Sequence, residues 1–287
     1  TSAASLRDLP RLCDEDPARV QFKPYPVEHH LAHIASAYYP SGFEALTAGF
    51  SYDGSGDFAS AMLARCEGAR IAVQARVTLP HSLKHFYTAL SQFIGFYGFG
   101  EEYKVMGLAP YGQDRFAAEM AQIIPDSGPG LFQIAPGWLR ADVRLHKRLH
   151  SSRIIDLLGP PRPRDAPITQ REKDIARSVQ VRFEGAALHT LKMARNNIGS
   201  PRLALAGGCG LNGVMNARIP RDTGFTNSYH QPASADDGTA LGAALHCWHT
   251  GLGRAERFTM RHAFWGPGYS DAAIRSALAN AGLRAEA

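Results

Sequence analysis

At least twice in this chain a short apolar run ends in a glycine-rich turn and a helical pattern follows at once. Leu203 to Ala206 lead into GGCGLNG and a helix, and a strand-like piece ending at Gln231 leads into ASADDG and an Ala-rich helix, Thr239 to His249. A third run, residues 44–52, ends at Asp53 in the turn SYDGSGD. Such turns expose backbone N–H groups beside the positive end of a helix dipole, where an anion is favoured. The order argues for an α/β fold with phosphate-facing turns. The 287 residues suit one large domain or two interlocked ones, enough to bury a real core.

Periodicity fills in the rest. Residues 28–39 have helical character and stop at Pro40, and two strands are predicted around Phe58 to Arg65 and Arg70 to Leu79, with EGA as their turn. Residues 82–96 place Leu83, Phe86, Tyr87, Leu90 and Phe93 at helical spacing, a stripe that belongs in a core. A short helix is predicted near Glu101 to Leu108. Residues 125–168, rich in Pro and Gly, are predicted irregular. A long helix from Asp174 to about Asn196 carries Ile175, Val179, Phe183, Ala187 and Leu191 near one face.

The chemistry concentrates in a few places. In EHHLAH, His29 and His33 are four residues apart, so a helix brings both imidazoles to one face and turns His30 elsewhere. Spacing alone leaves a solvated polar face equally open, because a metal needs more than two ligands. Asp53 at a strand end, and Asp236 with Asp237 before Gly238, are carboxylates placed either for a metal or, at a helix start, as an N-cap. Two imidazoles and two carboxylates suit Fe(II), Mn or Zn. Gly207, Gly208 and Gly210 form either a phosphate cradle or a plain tight turn, with Asn212 in reach of a phosphate or ribose hydroxyl. The segment is neither a GxGxxG fingerprint nor a P-loop. Lys104 reads on spacing as a surface lysine. The lack of a nucleophile elbow disfavours a serine hydrolase.

Charge and cysteines add limits. The net charge of +5 is mostly dispersed; the denser stretch Arg140 to Arg153 lacks interleaved aromatics and reads as a solvated face, so no nucleic-acid partner is expected. Four separated cysteines, Cys13, Cys66, Cys209 and Cys247, read as free thiols of a cytoplasmic protein. No apolar run approaches a membrane span, and no secretory signal is visible.

Taken in order, EHHLAHIASAYYPSGFE, SYDGSGD, PHSL, GEEYKVMGLAPYG, PITQREKDIARSVQ, LALAGGCGLNGVMNARI and QPASADDGTALGAAL resemble the bacterial O-carbamoyltransferase family of antibiotic-tailoring and nodulation enzymes. The resemblance runs from about Glu28 to Ser270. It implies an actin/hexokinase-like (ASKHA), ribonuclease H-like domain related to the tRNA threonylcarbamoyl transferases. It also implies that a separate YrdC-like domain makes carbamoyl adenylate from carbamoyl phosphate and ATP. The transferase domain then moves the carbamoyl group to a hydroxyl of a small-molecule natural product. Carried over residue by residue, it implies that Fe(II), or another divalent metal, is held by His29, His33, Asp53 and Asp236, Asp236 matching the first acid of the related D-x-G loop. Lys104, Gly207, Gly208 and Asn212 match positions near the nucleotide. A homodimer is compatible with all of this. Two other readings are a tRNA threonylcarbamoyl transferase, which EYKVMGLAPYG and PITQRE disfavour, and a non-catalytic nucleotide-binding actin-like module.

The chain departs from the family at its start. TSAASL resembles the tail of a first strand and HD-type segment, where the general base is expected, so the domain is expected to be incomplete at its N-terminus. Residues 1–270 are read as part of the transferase domain and 271–287 as the start of a linker toward a YrdC-like domain. The expected outcome is that purified chain given ATP and carbamoyl phosphate releases no pyrophosphate; release above a no-enzyme control contradicts the reading.

Overall fold

The computed structural model describes Asp16 and residues 23–98, 100–126, 128, 130–140 and 148–284. The expectations for TSAASL, Cys13, the middle of the basic stretch and the last three residues lie outside the described residues.

Helix α1 (His29–Tyr38) gives way at Pro40 to a 3-10 turn, Tyr39–Ser41. Strands β1 (Thr47–Gly56), β2 (Ala59–Glu67) and β3 (Arg70–Thr78) form an antiparallel meander. Helices α2 (Leu83–Phe93), α3 (Glu102–Leu108), α4 (Ala117–Ile123) and α5 (Ser152–Leu158) follow, then the long α6 (Gln170–Ile198). Strand β4 (Arg202–Ala206), the short α7 (Gly213–Asn216) and α8 (Ile219–Asp222), β5 (Asn227–His230), α9 (Thr239–His246) and α10 (Asp271–Asn280) complete the order. The sheet runs β3-β2-β1-β4-β5, with β1, β4 and β5 parallel, so the fold is mixed α/β.

Most sequence expectations hold within a few residues. The first strand continues through Asp53 to Gly56, and a short helix and an isolated bridge, Leu139 to His150, order part of the stretch predicted irregular. Helix α6 begins earlier than predicted because Thr169 and Glu172 form a capping box, the Thr169 N–H donating to Glu172 at 2.9 Å.

Side chains alternate across the sheet, and both faces are buried. Ala48, Phe50 and Tyr52 of β1, Ala61 and Leu63 of β2, and Leu203 and Leu205 of β4 join the large core that holds the predicted stripes of α2 and α6. The opposite face is lined by small residues, among them Ala64, Ala204 and Ala206, and α1 lies against it. Gly49 is part of that close approach: a Cβ there would stand 2.6 Å from Ile34 and 2.7 Å from the Cys66 Sγ. Helix α9 covers α1 in turn through Gly242, where a Cβ would stand 1.8 Å from the Ala32 carbonyl oxygen. The helix with both histidines is thus held between the central strand and α9.

The same substitution is therefore expected to act oppositely at two glycines. Gly242→Ala forces backbone apart and costs about 1–3 kcal/mol or more. Gly185→Ala, exposed in mid-α6 with open space around it, is expected to add roughly 0.5–1 kcal/mol. Urea or thermal unfolding of both variants checks the pair of signs.

Candidate metal centre

The first two turns of α1 carry His29 and His33, and the sheet's alternation turns Asp53 toward them, on the same side of β1 as Gly49 and Ser51. The helix start is fixed from outside: the His29 N–H donates to Asp57 Oδ2 at 2.8 Å, from the turn after β1. That turn is tight, with Asp57 and Phe58 both at positive φ, 48° and 66°. Gly56 lets the His29 ring lie against the strand, since a Cβ there would stand 2.0 Å from the ring carbon. His30 points away into the sheet, with Nδ1 2.9 Å from Ser51 Oγ and Nε2 3.1 Å from the Ala59 carbonyl oxygen. Burial pushes its pKa down to about 4, so it stays neutral and structural.

The Nε2 atoms of His29 and His33 stand 3.1 Å apart. Asp53 Oδ2 is 3.8 Å from the first and 3.3 Å from the second. Asp236 Oδ1, from the 3-10 turn Asp236–Gly238 that opens α9, is 3.6 Å from both. The four ligand atoms lie within 4.8 Å of one another. His33 is fully buried and Asp53 only 2% exposed, so the solvated-face reading of the histidine pair does not hold. Asp237 is exposed and outside the cluster.

The donor set fits a divalent ion. Ligand atoms about 2.1 Å from a metal stand about 3.0–3.4 Å apart; the pairs at 3.1 and 3.3 Å match that range, and those at 3.6 and 3.8 Å have to close by a few tenths of an ångström. A buried and a half-buried imidazole facing a buried and an exposed carboxylate are a mixed N/O set suited to Fe(II), Mn(II) or Zn(II). The His33 Nδ1 is buried without a hydrogen-bond partner among the described residues, so packing holds this ring where metal-bound histidines commonly donate to a carboxylate or carbonyl.

Electrostatics tie the cluster to its surroundings. Burial pushes the Asp53 carboxyl up, but the adjacent imidazoles of His29 and His33 and the Lys84 ammonium outweigh it and hold the group well below the usual carboxylate range. The Asp53 carboxylate, 3.8 Å away, raises the His29 pKa, against desolvation and with help from Asp236. Lys84 Nζ donates to Asp53 Oδ1 at 2.6 Å, and Asp53 outweighs the desolvation of this lysine, raising its pKa.

Beside the cluster is a cavity of about 220 Å³, lined by Lys84, Tyr87, Met106, Phe183, Gly208 and Asn212 among others. Gly207, at φ 95°, packs where a Cβ would stand 2.2 Å from the Tyr52 carbonyl oxygen; its N–H donates to the Ser234 carbonyl at 2.7 Å, tying the two glycine-rich loops together. The turn after Gly207 is a 3-10 turn, Gly208–Leu211, followed by the predicted helix, the four residues of α7. Asn212 lines the cavity, caps α7 through the Met215 N–H at 3.0 Å, and exchanges two hydrogen bonds with Gln180, each 3.0 Å. Lys104 pairs with Glu101 and lies over Phe96; it is not among the residues that line the cavity. Lys84 escaped the sequence reading because its helix shows only a core stripe, and nothing in PHSLKHF announces that this one polar position meets Asp53.

Fold and site together define an α/β domain with a mixed nitrogen–oxygen donor cluster beside its central strand and a cavity next to it. The chain belongs to the carbamoyltransferase N-terminus family, whose sequence profile matches residues 15–245. It is 35% identical over 265 residues to the uncharacterized protein sll1178 of Synechocystis, covering 90% of this chain and 42% of that protein. It is 34% identical to the nodulation protein NolNO of Sinorhizobium fredii, over 92% of this chain and 36% of that protein. With nodulation protein NolO of Bradyrhizobium diazoefficiens it shares 36% identity, over 84% of this chain and 42% of that protein. The chain thus spans about two fifths of the length of the curated relatives it matches. A crystal structure of full-length HypF in its phosphate- and nucleotide-bound form aligns with 14% identity and a TM-score of 0.42, covering 85% of this chain and 48% of that one.

The two shifted groups give opposite pH signatures in metal-free protein. The raised His29 contributes stability that is fully present below about pH 6.5 and is lost as pH rises through the folded pKa. The depressed Asp53 contributes stability present above about pH 4 and lost as pH falls toward its folded pKa. In chelator, His29→Gln is expected to destabilise more at pH 6 than at pH 8, and Asp53→Asn more at pH 7 than at pH 3; urea unfolding at those pH values measures both.

Proposed function

We propose that this chain forms the metal- and nucleotide-binding part of an O-carbamoyltransferase, in which a carbamoyl group passes from carbamoyl adenylate to a hydroxyl of a small-molecule natural product. The observation that carries the reading is the convergence of His29, His33, Asp53 and Asp236, from three separate segments of the chain, on one point beside a cavity. Family membership supplies the chemistry to which that convergence is assigned. The strand order, an antiparallel meander extended by two parallel strands, supports an actin/hexokinase-like, ribonuclease H-like domain.

In this reading a divalent ion, Fe(II) first among the candidates, is held by the two imidazoles and two carboxylates, and when bound it polarises a carbonyl or phosphate oxygen. The residues of this chain bind and orient. The cavity takes the nucleotide part, with the turn open to close approach at Gly208, while Gly207 packs against the Tyr52 carbonyl. The acceptor oxygen bonds to the carbamoyl carbon, the bond from that carbon to the phosphate oxygen breaks, and AMP leaves with the electron pair. No covalent enzyme intermediate is needed, because AMP is already a good leaving group. The hydroxyl proton passes to a general base that no described residue is assigned. Carbamoyl phosphate and ATP are the upstream substrates. The unpaired Cys66, Cys209 and Cys247 agree with a cytoplasmic setting, and among the described residues no helix is long and apolar enough to cross a membrane.

Metal analysis of anaerobically purified, Fe(II)-loaded chain tests this. Roughly one ion per chain is expected in the wild type and almost none in the His29→Ala, His33→Ala double variant. An unloaded wild type, or a double variant that keeps its ion, contradicts the assignment; tight ATP binding without any metal favours a non-catalytic nucleotide-binding module.

A further inference from the structure

Asp53 divides its two carboxylate oxygens between two partners. Oδ2 faces the imidazoles of His33 and His29 at 3.3 and 3.8 Å. Oδ1 accepts from Lys84 Nζ at 2.6 Å and from the Gly54 N–H at 2.7 Å. Lys84 comes from the first turn of α2, on the other side of the strand from α1, and its side chain keeps 29% of its exposure. An ammonium has three donors. Among the described residues Nζ makes no hydrogen bond other than that to Asp53, so the rest of its capacity is directed at the cavity it lines.

The turn after β4 leaves room at this point. A Cβ on Gly208 would stand 2.7 Å from Asp53 Oδ1 and 3.0 Å from Lys84 Nζ. Any side chain there would press on the ion pair. Away from this end the cavity is largely apolar, walled by Tyr87, Met106, Phe183 and Leu211. Among its described lining residues Lys84 is the one cation, and Glu102, the one carboxylate, is engaged by Thr88 Oγ1 at 2.6 Å. A ligand that fills this space with a flat, apolar portion inside and an anion at the Lys84 end has the chemistry of a nucleoside monophosphate.

We propose that Lys84 is a positioning and binding residue of the transfer site: it receives the phosphate of the adenylate at the boundary between cavity and donor cluster, and it holds Asp53 with Oδ2 aimed at the imidazoles. The proposal rests on the carbamoyl adenylate reading above. When the bond from the carbamoyl carbon to the phosphate oxygen breaks, the electron pair goes to that phosphate, and a fixed ammonium beside it favours the departing charge. A lysine serves here as a compact point charge, which arginine's wider fork does not reproduce.

The test uses the purified chain, loaded anaerobically with Fe(II), with AMP as the probe and isothermal titration as the readout. Removing one charge-assisted contact is expected to weaken AMP binding roughly 10- to 100-fold in Lys84→Met, with Lys84→Arg between that variant and wild type. Raising salt is expected to weaken AMP binding to wild type and to have little effect on Lys84→Met. Unchanged AMP affinity in a folded Lys84→Met overturns the assignment of Lys84 and leaves the adenylate reading standing. A wild type that binds no AMP overturns the adenylate reading, and this assignment with it. Should Lys84→Met fail to fold, Gly208→Ala carries the test: the added methyl crowds Lys84 Nζ and is expected to weaken AMP at least several-fold, and unchanged affinity counts against the proposal.

Discussion

The Asp53 carboxylate, sunk to 2% exposure beside the central strand, is the interaction on which the rest of the site depends. A lone buried carboxylate is costly, and burial pushes it toward its neutral form. It stays charged because two imidazoles meet one oxygen while an ammonium and a backbone N–H meet the other. Each partner is supplied by a different part of the fold. The imidazoles need α1 close against β1, which the small residues on that face permit. The ammonium needs α2 to start at the same end of the strand. Loosen either helix and the carboxylate loses its compensation.

The packing that brings α1 in is correspondingly intolerant. Gly49 beneath the helix and Gly242 above it are positions where even a methyl has no room. The glycine-rich turns serve two purposes by the same physics. Gly207 allows strand β4 to pass the Tyr52 carbonyl, and Gly208 keeps the space before Asp53 and Lys84 open. Asn212 closes the other side of the cavity, held by Gln180 and by its cap on α7, so its amide is committed to the scaffold in this structure.

Much of the fold was legible because it follows from local periodicity. The stripe Leu83, Phe86, Tyr87, Leu90 and Phe93 is buried, as are Ile175, Val179, Phe183, Ala187 and Leu191 of the long helix. The errors fall where a local signal is weak or is overridden. Strand β1 runs past Asp53 because pairing with β2 resumes at Gly56 after an irregularity, which no propensity encodes. Order between residues 125 and 168 comes from contacts made at a distance, such as the Leu149 N–H donating to Gln92 Oε1 at 2.9 Å.

The site divides along the same line. By itself the sequence determined that His29 and His33 share a helix face, that acids stand at the ends of two glycine-bearing segments, and that seven motifs in order belong to one family. Those facts depend on spacing and identity, which the chain carries locally. That the four donors meet within 4.8 Å, that His33 is enclosed, and that Lys84 completes Asp53 while Lys104 turns to Glu101 were decided only by the tertiary structure. Lys84 and Asp53 are 31 residues apart, and Asp53 and Asp236 are farther still. Contacts of that range exist only once sheet and helices have packed.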